Sequence, residues 1–194
     1  AEKVSTIKNF KRTVLLAMMV YAVNCQSANN GTLNFSANVT RGTCEFSDSN
    51  ELSKHVSFEQ FFTIGDAEDT PIKAPIKGSL GTKQFTYLID CKEYEPDSEK
   101  KITINVKTGA NTEYSDQVFY GKGDTTQTGF LVKGCLEGEN ASCQILENNK
   151  KLSFSSHSNS AISINYIVDF VRRNNNKMTP GDSTATILFE YIQD

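Results

Sequence analysis

Between Ile162 and Phe170 the apolar side chains fall on every second residue: Ile162, Ile164, Tyr166, Val168 and Phe170 alternate with Ser163, Asn165 and Asp169. A chain with that period buries a single face only when extended, because a helix would scatter the same groups around its axis. The pattern recurs. Phe85, Tyr87 and Ile89 oppose Thr86, Leu88 and Asp90, and Ile102, Ile104 and Val106 oppose Thr103 and Asn105. Leu33, Phe35, Ala37 and Val39 likewise alternate with Asn34, Ser36 and Asn38. Strands are predicted over Leu33–Phe46, Val56–Ile64, Lys83–Cys91, Lys101–Lys107, Gly129–Lys133, Lys151–Ser155, Ile162–Arg172 and Thr184–Ile192. No segment beyond residue 28 carries a helical period, so an all-β domain is expected.

The connections Asp69–Gly81, Glu93–Ser98, Gly109–Asp116, Gly121–Thr128 and Arg172–Ser183 are rich in Gly, Asn, Asp, Ser and Pro. They hold all four prolines, Pro71, Pro75, Pro96 and Pro180, so none interrupts a ladder. Many short strands at this spacing predict two packed sheets. The run Lys92–Lys101 mixes both signs and reads as a solvated loop. No repeat or linker divides the chain after residue 28.

Ahead of the first strand, Lys3, Lys8, Lys11 and Arg12 precede the ten apolar residues Val14–Val23, and Cys25, Gln26, Ser27 and Ala28 follow. This is the order of a secretory signal peptide, and the run is well short of the ~20 residues needed to span a bilayer. Cleavage is expected after Ala28, with Ser27 the nearest alternative. Residues 1–28 are then the signal, 29–40 an N-terminal extension and 41–194 one domain, 166 residues in all after cleavage. The segment removed carries a net +3 of a total −3, which leaves about −6. An acidic chain with no basic block does not suit nucleic acid or anionic membrane.

Of five cysteines, Cys25 would leave with the signal, and Cys44, Cys91, Cys135 and Cys143 remain. An even number in an exported chain predicts two disulfides, with three possible pairings. Cys135 and Cys143 are close enough in sequence to staple one loop, which leaves Cys44 with Cys91. Metal binding would need clustered ligands, and His55 and His157 lie far from either cysteine pair in sequence. Neither histidine stands in a nucleophile motif, and GKGD at 121–124 lacks phosphate-loop spacing, so no enzyme and no cofactor is expected.

Four blocks together resemble the pilin subunits of chaperone–usher fimbriae, most closely the type 1-like group. They are NNGTLNFSANVTRGTCEF at 29–46, FTYLIDC at 85–91, INYIVDF with the later TPG at 164–170 and 179–181, and STATILFEYIQD at 183–194. The resemblance implies an incomplete immunoglobulin-like sandwich, lacking its last strand and completed by a donor strand from another subunit. A periplasmic chaperone would first fill the groove, the outer-membrane usher would exchange it, and neighbouring pilins would polymerise head to tail. Donor residues would be Leu33, Phe35, Ala37 and Val39, and the acceptor groove would be flanked by Ile187, Phe189 and Tyr191. The family also pairs the cysteines matching Cys44 and Cys91, and it usually has Gly where Ala37 stands.

The function so implied is a structural subunit of an adhesive surface fimbrium, meeting a host-cell receptor through the assembled filament. Two other readings stand beside it. One is a small tip or adaptor pilin that binds through loops carrying Tyr114, Phe119 and Tyr120. The other is a self-contained secreted immunoglobulin-like domain in which Leu33–Val39 is simply the first strand.

Overall fold

The computed structural model describes residues 29–41, 44–46, 53–91, 100–136, 143–156 and 162–193. The strands in chain order are β1 (Asn29–Arg41), β2 (Cys44–Phe46), β3 (Ser53–Phe62), β4 (Thr82–Cys91), β5 (Lys100–Thr108), β6 (Thr112–Ser115), β7 (Val118–Gly121), β8 (Thr128–Leu136), β9 (Cys143–Ile145), β10 (Lys151–Ser156), β11 (Ile162–Arg172) and β12 (Asp182–Gln193). They form two sheets. The first runs β10-β5-β12-β1-β3, and the second runs β2-β4-β11-β8-β7-β6 with β9 also on β8. The expected all-β sandwich is borne out.

Alternation decides which face of each strand is buried. In β11, Ile162, Ile164, Tyr166, Val168 and Phe170 are buried with partly exposed residues between them. In β12, Ser183, Ala185, Ile187, Phe189 and Tyr191 are buried. The two faces meet in aromatic contacts: Phe189 lies 4.7 Å from Tyr166, and Phe58 of β3 lies 5.3 Å from Phe170. Strand β8 is buried on both sides, because Leu131 forms a small second cluster with Val118 and Val171 beneath the main one.

Several local features differ from expectation, among them β9, which falls in no predicted strand. The strand anticipated over Leu33–Phe46 is two strands in different sheets, β1 in the first and β2 in the second. The sequence marks this point by a change of parity, since the apolar positions run 33, 35, 37 and 39 whereas Cys44 and Phe46 are even, and β1 carries a register shift between Val39 and Arg41 just before it ends. The strand anticipated to Ile64 stops at Phe62, and a short helix, α1 (Ile64–Glu68), follows. Thr63 starts it with a capping box, accepting the Asp66 N–H at 3.3 Å while its own N–H donates to the Asp66 carboxylate at 2.9 Å. That backbone bond, aided by Lys77, holds the Asp66 carboxyl below its ordinary range.

The expected loop Gly109–Asp116 contains β6, and with β7 it makes a hairpin. Asp116 and Gln117 at the tip have φ of 49° and 70°, the backbone of a type I′ turn reached without glycine. Residues 1–28, where a signal is expected, His157 and the segment 92–99 lie outside the described residues. Among the described residues no helix is long and apolar enough to cross a membrane.

Candidate functional site

β1 lies inside its sheet, parallel to β12 on one side and antiparallel to β3 on the other. Along β12 the register sets Leu33 beside Ala185, Phe35 beside Ile187, Ala37 beside Phe189 and Val39 beside Tyr191. Leu33 and Phe35 are 0% and 1% exposed. The Phe35 ring sits 4.3 Å from Phe85 and 5.4 Å from Phe189, so it fills space between the sheets. The expected donor and acceptor residues therefore meet, and they do so within one chain. The Val39 side chain lies outside the described residues, although its backbone keeps register.

The start of β1 is tied down by polar contacts. The Asn30 backbone N–H donates to Gly181 O at 3.3 Å, the Asn30 amide to Asp182 Oδ1 at 2.9 Å, and the Asn29 amide to Thr179 O at 3.1 Å. Near its other end Tyr191 and Tyr166 share a hydroxyl hydrogen bond of 2.6 Å between the sheets. Burial drives both phenols, and that of Tyr87, above the usual tyrosine range.

The tightest point of the site is Gly31. A Cβ built there would stand 2.8 Å from the Phe170 ring. That ring has nowhere to retreat, because Phe130, Phe58 and Phe62 lie 5.2 to 5.3 Å from it. Ala37, where the resemblance implies a glycine, is 5% exposed and borders a 250 Å³ hollow with Ser36, Lys107 and Leu188. The steric demand falls six residues earlier than expected. A glycine within an alternating strand is the available sequence signal for such a close approach.

Cys135 and Cys143 are joined by a disulfide across the β8–β9 ladder, as expected from their spacing. Cys44 and Cys91 stand directly opposite each other in the β2–β4 register, while their side chains lie outside the described residues. Tyr114, Phe119 and Tyr120 are not displayed together. Phe119 is buried with Tyr114 4.8 Å away, and the Arg173 guanidinium stacks 3.8 Å over Tyr120 while pairing with Asp124 at 3.6 Å. Among the described residues no group of three or more His, Cys, Asp or Glu is placed to hold a metal ion.

No family model and no curated protein matches the sequence. Among solved structures, the receptor-binding domain of the plasmid-born adhesin MrkD1P of Klebsiella pneumoniae is similar at 13% identity and a TM-score of 0.34, over 63% of this chain and 82% of that one. The major pilin of Streptococcus pyogenes is similar at 8% identity and a TM-score of 0.19, over 85% of this chain and 98% of that one. At such scores neither likeness bears on what this chain does.

Proposed function

We propose that this chain is a subunit of a chaperone–usher surface fimbrium and that β1 is the strand it exchanges. The observation that carries the reading is the position of β1: it is the first described strand, yet it lies inside a sheet, between β3 and β12. Its departure would open a slot bounded by two backbone edges and floored by aromatic side chains. A strand from another copy has the same alternation and fits by the same main-chain pairing, with Leu33, Phe35 and Ala37 as its plugs. Donor and acceptor surfaces differ, so repetition builds an open filament.

In this reading the chain is exported after loss of residues 1–28, and β1 in its own sheet is the monomeric resting state. A periplasmic chaperone holds the slot when β1 is withdrawn, the usher catalyses exchange, and Cys44 and Cys91 form the second disulfide. Adhesion to a host receptor is a property of the assembled fimbrium. A second reading is favoured by one observation: β1 completes the sheet in its own chain, as the first strand of a self-contained binding domain would.

Deleting residues 29–40 and co-expressing the remainder with a type 1-like periplasmic chaperone separates the two. Exchange predicts a soluble one-to-one chaperone complex that releases the chaperone and folds when a synthetic 29–41 peptide is added. An insoluble or degraded chain, neither held by the chaperone nor rescued by the peptide, would leave the self-contained domain.

A further inference from the structure

Strand β3 ends its sheet and has one strand neighbour, β1, among the described strands. Replacing β1 therefore strips β3 of its ladder and leaves it held on the second sheet by side chains, among them Phe58 and Phe62, each 5.3 Å from Phe170. Two lysines from outside the first sheet reach across to β3. The Lys83 ammonium, from β4, donates to Ser57 O and lies 5.2 Å from the Phe58 ring centre. The Lys77 ammonium, from the segment before β4, donates to Phe61 O at 2.8 Å, lies 5.6 Å from the Phe61 ring centre and stands 3.6 Å from the Asp66 carboxylate. Each cation thus binds one β3 carbonyl and one β3 aromatic face at once.

The two clips are independent of β1. Lys83 is fixed in the ladder of the second sheet through its pairing with Val168, and Lys77 adjoins Ile76, whose N–H donates to Phe170 O at 2.9 Å. From the reverse direction, Lys54 of β3 extends its ammonium to 5.7 Å from the Tyr87 ring centre on β4. We propose that Lys83 and Lys77 are positioning residues that keep β3 docked on the second sheet while the strand beside it is exchanged, so the vacated position remains a slot with two walls. This rests on the strand-exchange reading given above.

The test uses the full chain and a fluorescent 29–41 peptide at a denaturant concentration below the unfolding transition. Peptide uptake and amide hydrogen exchange in β3 are followed in the parent, in Lys83→Met, Lys77→Met and the double variant, and in Lys83→Arg. Uptake should slow about two- to fivefold for each clip removed. β3 amides should exchange faster while those of β11 hold, and Lys83→Arg should restore most of the rate. Uptake by the parent that is unchanged in the double variant, with unchanged β3 protection, overturns the clips and leaves exchange standing. No uptake by the parent overturns the exchange reading, and β3 protection in the double variant still decides whether the lysines dock the strand.

Discussion

β11 and β1 each run through a sheet and bury every second side chain, yet the chain holds them differently. β11 pairs antiparallel with both β4 and β8, and the domain's chain continues from both of its ends. β1 pairs antiparallel with β3 but parallel with β12, a slightly weaker ladder, and in the proposed mature chain it is tethered at one end. Burial makes both strands necessary to the fold. Under the proposed exchange, tethering decides which of them another molecule would supply.

The largest expected effect puts that contrast to the test directly. Ile164→Asp in β11 and Leu33→Asp in β1 each set an unpaired carboxylate at a site 0% exposed, and both should prevent stable folding of the chain alone. Circular dichroism and proteolysis should then show that an added wild-type 29–41 peptide restores Leu33→Asp and not Ile164→Asp. Equal failure of both would make β1 an ordinary strand.

A smaller effect is expected at the contact between the two strands, where Gly31 meets Phe170. Gly31→Ala should cost about 1–3 kcal/mol through overpacking, read as a lower urea midpoint. Gly65→Ala in α1, where the new methyl meets nothing closer than 3.7 Å, should leave the midpoint nearly unchanged or raise it slightly. If both variants behave alike, Phe170 yields, and the site does not select for glycine.

The smallest effect at neutral pH concerns the phenols on the fixed side of the site. Tyr191→Phe removes the hydrogen bond to Tyr166 and should cost about 1 kcal/mol. Because burial raises the phenols of Tyr87, Tyr166 and Tyr191, the unfolded chain sheds their protons first, from about pH 10. Their contribution is complete below that pH and declines as pH rises above it. An alkaline titration followed by tyrosinate absorbance should show these groups ionising together with unfolding; separate, gradual ionisation of a folded chain would mean that water reaches them.

Most of the architecture was legible because period-two alternation leaves little choice of structure, as in Ile162–Phe170 and Thr184–Ile192. The parity change between Val39 and Cys44 is equally present in the sequence, but apolar content on both sides of it favours one strand over two. The turn at Asp116 and Gln117 was not readable, since Asp116 is a weak signal of positive φ and Gln117, in the place where Asn-Gly or Asp-Gly would have glycine, gives none. At the candidate site the large residues, Leu33 and Phe35, announced themselves by hydrophobicity. Gly31 signals only that something comes close; what comes is Phe170, which is 139 positions away in sequence and is brought underneath by the packing of the two sheets. The two lysines were silent, their partners being set by the same packing.

The crossing of the chain from β1 to β2 also sets a length. Only positions 42 and 43 separate the two strands in sequence, and β2 is paired in the opposite sheet, so a β1 given up to another molecule would stay tied close to β2. The 13 residues of β1, at ~3.3 Å each, make an arm of about 43 Å. In a filament built by such arms, that length would limit the spacing of successive subunits along the axis.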